Sequence, residues 1–156
     1  MTTVRRPRVL LVEARFYEDL ADELVAGAGA EFDAAGVDYV RLAVPGCFEL
    51  PAAIAMALEP PQAGASTSAF DGFVAMGVVI EGETDHYDHI CREVSRALMD
   101  LSVDHRIPLG FGVLTCRTYA QAEERARVSG KNKGADAARA CLRMMALSSG
   151  RDRIGG

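Results

Sequence analysis

The chain has 156 residues, 49% of them apolar and 25% charged. That suits one globular domain with its own core and excludes disordered and fibrous architectures. A formal net charge of −5 argues against a nucleic-acid binder, whose footprint is basic, while a small anionic substrate answers to the local field instead.

The predicted elements alternate. Residues 8–14, RVLLVEA, form a short apolar run suited to a buried strand. Residues 18–36 carry Leu20, Leu24, Ala28, Phe32 and Ala35 at helical spacing, and 37–43 read as a second strand. Val44-Pro45-Gly46 breaks the chain, and 48–58 is an alanine-rich helix in which Pro51 is tolerable only in the first turn. Residues 59–68, with Pro60, Pro61 and Gly64, read as a surface loop. Residues 70–80 are the third and most apolar strand, followed by a helix over 85–103 with Ile90, Val94, Ala97, Leu98 and Leu101 on one stripe. A fourth strand over 107–114 and helices over 118–128 and 134–147 complete the order.

This βαβαβαβαα pattern implies parallel strands joined by helical crossovers in a three-layer α/β sandwich. With no repeat and no dividing linker, 1–156 reads as one domain, with 1–7 and 148–156 as flexible ends. The last helix carries two apolar rows, Ala135-Ala138-Leu142-Met145 and Ala137-Ala140-Met144-Leu147. A surface helix needs only one, so the second points to subunit contacts.

Cys47, Cys91, Cys116 and Cys141 stand at least 25 residues apart, so no CxxC pair exists for zinc or redox work. They read as reduced, mostly buried thiols of a cytoplasmic protein. No signal-peptide pattern or membrane-length apolar run is present, so no membrane association is expected.

In open α/β sheets the ligand sits beyond the carboxyl ends of the strands. That directs attention to 15–17, 45–49, 81–88 and 115–117. Two of the three histidines fall in one such loop, GETDHYDHI. His86 is a candidate acid/base near physiological pH, and the competing reading is a solvated helix start capped by Thr84 or Asp85. His89, with Cys91 or Asp88, has weak metal-ligand spacing and no matching set elsewhere, so no metal site is expected. Gly82-Glu83-Thr84 precedes a helix, where free N–H groups suit a phosphate, although an ordinary turn uses the same residues. Arg125, Lys131 and Lys133 are candidate cations for it. Glu49 is placed to accept hydrogen bonds from a polyol or amine. Phe16, just past the first strand, is placed to stack on a flat heterocycle. Phe111 reads as core by pattern alone.

Taken together and in order, Ala14-Arg15-Phe16, VPGCFELP (44–51), GVVIEGETDHYDH (77–89), FGVLT (111–115), QAEERA (121–126) and Asn132-Lys133-Gly134-Ala135 resemble the lumazine synthase family. The resemblance covers roughly 8–147. It implies a flavodoxin-like fold with a central four-stranded parallel sheet, subunits assembled as pentamers or icosahedral 60-mers, and no metal or organic cofactor. The implied reaction condenses 5-amino-6-(D-ribitylamino)uracil with 3,4-dihydroxy-2-butanone 4-phosphate to 6,7-dimethyl-8-ribityllumazine, phosphate and water, in riboflavin biosynthesis.

Carried over to this sequence, Phe16 stacks on the pyrimidine, while Cys47, Phe48 and Glu49 hold the ribityl chain. Val78, Val79 and Ile80 offer backbone groups to the pyrimidine edge. Gly82, Glu83, Thr84 and Arg125 take the phosphate. Phe111 and Arg125 reach the site across a subunit boundary, and His86 moves protons. Lys133 matches the family pattern.

The chain departs from that pattern at Glu81, where a basic residue is usual, and at Asp85, an added acid before His86. These support an alternative reading, a paralogue that binds flavin or lumazine without efficient synthesis. Cys47 replaces a small residue, and Lys131 stands where capsid formers often have glycine. The short, Pro7-containing segment before the first strand favours a pentamer over a 60-mer.

Overall fold

A computed structural model describes residues 4–58 and 69–150. The loop expected over 59–68 and the tail from 151 onward lie outside the described residues. The elements run β1 (Arg8–Ala14), α1 (Glu18–Ala35), β2 (Asp38–Val44), a 3-10 turn (Cys47–Glu49), α2 (Leu50–Leu58), β3 (Gly72–Ile80), α3 (His86–Asp104), β4 (Leu109–Cys116), α4 (Tyr119–Ala126) and α5 (Lys133–Ser148).

The alternating order is as expected, and the differences lie at boundaries. The fourth strand begins after Pro108, which has no N–H to give to a ladder, and runs to Cys116. The helix expected from 48 divides into the 3-10 turn and α2, which leaves Pro51 in the first turn of α2. Helix α1 stops at Gly36, whose left-handed φ of 70° lets its N–H close on Asp33 O and Phe32 O.

Among the described residues the strands form one parallel sheet in the order β2-β1-β3-β4. This is the doubly wound, flavodoxin-like order expected of the chain. Side chains of β1 alternate between two cores. Val9 and Leu11 join Leu24, Phe32, Val74, Met76 and Ala138 on one face, whereas Leu10 and Val12 join Leu50, Ile54, Phe73, Val94 and Leu98 on the other. The two faces are covered by α1, α4 and α5 and by α2 and α3 respectively, giving three layers.

Glu13 breaks the apolar alternation. Its side chain is 3% exposed, yet it is charged and held by three arginine hydrogen bonds. Arg41 Nε and Nη2 donate to its two oxygens at 2.7 and 2.8 Å, and Arg15 Nη1 donates at 2.7 Å. Burial pushes the carboxyl up, but the bonds from Arg41 and then Arg15 outweigh that and hold it below the ordinary carboxylate range.

Within the ends read as flexible, several atoms are bonded. Arg5 pairs with Asp71 at 2.9 Å, Arg6 Nε donates to Gly36 O at 3.1 Å, and Asp38 N donates to Pro7 O at 2.9 Å. On α5 the row Ala135, Ala138, Leu142 and Met145 packs inward. In the second row Ala137 is buried as well, while Ala140 and Met144 face out.

The packing and the buried charge each set a stability expectation. A Cβ on Gly134 would overlap the Leu24 carbonyl, which belongs to rigid helix backbone. Gly134→Ala therefore lowers the unfolding free energy by roughly 3 kcal/mol, the upper end for overpacking, in a urea titration. Glu13, with its native pKa lowered, contributes stability that is complete above the ordinary carboxyl range and lost as the pH falls through the native value. The stability gap between wild type and Glu13→Gln is thus widest near neutrality and narrows on acidification below about pH 4. Urea midpoints at both pH values measure it, and a constant gap would contradict the linkage.

Candidate active site

The sheet order places α1 and α3, which follow the adjacent strands β1 and β3, on opposite faces. The crevice where they part is the topological switch point. A cavity of about 690 Å³ opens there, lined by Phe16, Tyr17, Gly46, Cys47, Phe48, Glu49, Val78, Val79, Ile80, His86 and Ile90. Its walls are mostly apolar, its rim carries one carboxylate and one imidazole, and its size suits a small-molecule ligand.

Each wall has a local cause. Phe16 sits in the three-residue loop between β1 and α1 and is 75% exposed. Its ring meets Tyr17 edge-on, with centroids 4.9 Å apart at 74°. Behind it Tyr17 approaches Tyr119 at 6.3 Å, and Tyr119 donates its hydroxyl hydrogen to Asp19. Pro45-Gly46 turns the chain out of β2 into the 3-10 turn, leaving Phe48 64% exposed and Cys47 buried. Cys47 Sγ packs over Gly77 so closely that any Cβ there would collide with it and with Ala14. Glycine at 77 is therefore what lets the 45–49 turn lie against β3.

Ile80 pairs with Cys116 at the last rung of the sheet, and Glu81 N donates to Cys116 O at 2.9 Å. Beyond this rung the chain turns through 82–85 into α3. His86 is the first residue of that helix, and its backbone N–H reaches Thr84 Oγ1 at 3.4 Å. Asp85 occupies the cap position without a side-chain capping bond. Tyr87, next to His86, ties this turn to the end of β4. Burial pushes its hydroxyl up, opposed by a hydrogen bond with Thr115.

The acids that depart from the family pattern have partners. Glu81 lies 3.9 Å from the Arg117 guanidinium, and Asp85 lies 3.3 Å from His89 Nε2. His89 thus pairs along its own helix, and no group of three or more metal-ligating side chains occurs among the described residues.

Of the residues given site roles from sequence, eight line this one cavity: His86, Phe16, Cys47, Phe48, Glu49, Val78, Val79 and Ile80. Glu83, Thr84, Phe111, Arg125 and Lys133 do not. Glu83 and Thr84 are exposed in the turn beside it. Arg125 is on α4, where its Nη1 donates to Gln121 O at 3.2 Å and its charge reaches Cys116.

Phe111, a core residue by pattern alone, is instead 49% exposed. β4 is an edge strand, and α3 covers this part of it incompletely, so the ring lies in a groove with Leu98, Met99, Ser102 and Leu109. On the other side of the same edge Phe111 shares a hollow with Lys133, whose Nζ pairs with Asp136 at 3.1 Å. Tyr17 and Gly46, inside the strand-end segments 15–17 and 45–49, and Ile90, on the helical stripe, also line the cavity, although none had been given a role of its own. Tyr17 follows Phe16 directly, and Ile90 is one turn past His86, so adjacency to a candidate was the available signal.

Burial pushes the Cys47 thiol up to about 12. A thiol at the cavity wall with so little thiolate is a packing group and not a nucleophile. Iodoacetamide at about pH 8, below the ordinary thiol value, is expected to leave Cys47 unmodified in the native protein and to label it after denaturation. Rapid native labelling, read by peptide mass spectrometry, would contradict this.

Comparison with known proteins agrees with the geometry. The model of the 6,7-dimethyl-8-ribityllumazine synthase family matches residues 6–149. A 6,7-dimethyl-8-ribityllumazine synthase of Paramagnetospirillum magneticum is 51% identical over 140 residues, 90% of this chain and 93% of the relative. One from Nitrobacter hamburgensis is 53% identical over 146 residues, covering 94% and 88%. One from Agrobacterium fabrum is 49% identical over 151 residues, covering 97% and 99%. With the match running nearly end to end, the chain belongs to the 6,7-dimethyl-8-ribityllumazine synthase family.

Proposed function

We propose that the switch-point cavity is where this enzyme condenses 5-amino-6-(D-ribitylamino)uracil with 3,4-dihydroxy-2-butanone 4-phosphate, releasing 6,7-dimethyl-8-ribityllumazine, phosphate and water. It is a transferase of riboflavin biosynthesis. The observation that carries the reading is the convergence of Phe16, the 47–49 turn, the end of β3 and His86 on one cavity of about 690 Å³.

The roles divide by chemistry. Phe16 offers an aromatic face to the pyrimidine. Glu49 accepts hydrogen bonds from ribityl hydroxyls beside Cys47 and Phe48. Val78, Val79 and Ile80 present backbone donors and acceptors to the pyrimidine edge. Gly82, Glu83 and Thr84, at the positive end of α3, take the phosphate with Arg125. Imine formation, phosphate loss and ring closure each need a proton moved, and His86 borders the cavity to do so. Holding two reactants in register supplies most of the acceleration, since well-oriented pairs gain roughly 7–11 kcal/mol over free encounter.

The alternative reading, a carrier paralogue that binds flavin or lumazine without efficient synthesis, rests on negative charge from Glu81 and Asp85. The Arg117 guanidinium, 3.9 Å from Glu81, offsets part of that charge, which favours the synthase. The chain works as a homo-oligomer in the cytoplasm, as a pentamer of 16.7 kDa subunits in preference to a 60-mer. In it a neighbour's Phe111 and Arg125 complete the site. No helix of the described residues is long and apolar enough to cross a membrane.

Mixing the two substrates with the protein and following lumazine absorbance tests the reading, which predicts formation well above the spontaneous rate. Product binding without acceleration would favour the carrier. His86→Ala slows turnover without abolishing it, because positioning remains. Arg125→Ala mainly raises KM for the butanone phosphate, by about tenfold for one lost charge-assisted contact. Equal and complete loss in both variants, with folding intact, would sink this division of labour. Light scattering that shows a particle of ~1 MDa would sink the pentamer.

A further inference from the structure

Phe16 presents its ring to the cavity with three-quarters of its surface exposed, and its ring meets Tyr17 only edge-on. Packing of that kind does not fix a side chain. A stacking surface is useful only if it stays within about 0.5 Å of its working position. The order of Phe16 must therefore come from the backbone that carries it.

That backbone is the loop Arg15-Phe16-Tyr17, and it is anchored at both ends. At its start, Arg15 N donates to Val44 O at 3.0 Å, Arg15 Nη1 to Glu13 Oε1 at 2.7 Å and Arg15 Nη2 to Asp22 Oδ1 at 2.9 Å. At its end, Tyr17 O accepts the Ala21 N–H at 2.9 Å as helix α1 begins. Glu13 is the hub. Its carboxylate is buried on the α1 face of β1, takes both Arg41 donors from β2, and shares Oε1 with Arg15. Arg15 then bridges to α1 through Asp22. One carboxylate thus joins β1, β2 and α1 around the single loop that carries Phe16.

We propose that Glu13, acting through Arg15 and Arg41, is a positioning residue that holds Phe16 in the orientation needed to stack on the flat heterocyclic substrate. The use of Phe16 as a stacking surface rests on the function proposed above. The ordering of residue 16 by Glu13 does not. A buried charge with no role beyond stability has no reason to lie three residues from a stacking ring, because a well-packed apolar residue there would stabilise as much or more.

The chain contains no tryptophan, so Phe16→Trp introduces a single emitter at the position in question. In that background Glu13→Gln, which keeps the shape and removes the charge, is expected to lower the anisotropy of the indole at position 16 and raise its quenching by acrylamide. Arg41→Lys keeps the charge and loses the two-pronged contact. It is expected to act in the same direction and serves if Glu13→Gln does not fold. A control emitter, Phe70→Trp just before β3 at the opposite end of the sheet, should be unaffected by either change.

With Phe16 in place, both variants are expected to raise KM for the ribitylaminouracil about fivefold, with kcat and KM for the butanone phosphate within about twofold of wild type. Unchanged emission signals from position 16, or equal changes at position 70, overturn the proposal, as does a uniform fall in kcat with no KM split. A wild-type protein that makes no lumazine, while the indole at position 16 still loosens in Glu13→Gln, refutes the proposed function and upholds the ordering of residue 16.

Discussion

Parallel strands pair only when every connection returns the chain to the same end, so all four carboxyl ends of this sheet face one side of the molecule. That constraint makes a site from residues far apart in sequence. β1 sits inside the sheet, between β2 and β3, and its helix packs on one face while the helix after β3 packs on the other. The chain must part between them, and the gap is the cavity. Phe16, the 46–49 turn, Val78–Ile80 and His86 meet there because each lies at the end of a strand, or one turn beyond it.

A gap between diverging helices needs rigid edges, and small residues supply them. Cys47 lies against β3 only because Gly77 has no side chain. Helix α5 closes on α1 only because Gly134 meets the Leu24 carbonyl directly. Behind the α1 edge stands the Glu13 cluster, where charge does what apolar packing does elsewhere in the layer. The cost of burying one carboxylate is offset by three hydrogen bonds from two guanidinium groups. Its geometry is directional in a way that a leucine is not. Of the three bonds, the two from Arg41 hold the carboxylate in place and the one from Arg15 fixes where Arg15, and so Phe16, must sit.

The layer architecture was legible in the sequence because it follows from periodicity, which a strand such as FVAMGVVI or the Ile90-Val94-Leu98-Leu101 stripe displays directly. Cavity residues were legible where they fell at strand ends. What periodicity misjudged was Phe111, since a pattern reports which face of a strand a residue takes and not whether anything covers that face at the sheet's edge. Glu13 went unread for a related reason. An acid inside RVLLVEA looks like the end of a strand, and its partner Arg41 is 28 positions away. The Glu13–Arg15 spacing, two residues apart and so on one strand face, was the visible half of the cluster.

The remaining asymmetry concerns β4. Phe111 and Lys133 lie along its free edge, and Arg125 lies on the helix that follows it, none of them lining the cavity of their own chain. Around that edge Phe111 is 49% and Met99 63% exposed in one groove. Among the described residues this edge pairs with no further strand, and an unpaired edge with apolar neighbours is a surface that soluble monomers seldom leave bare. A neighbouring copy seated on β4, as the proposed pentamer requires, accounts for both facts at once. Such a copy would cover the exposed groove and would give Phe111 a cavity to face on the other side of the boundary. On that reading the edge strand is left open in the single chain because its complement is the next chain's switch point.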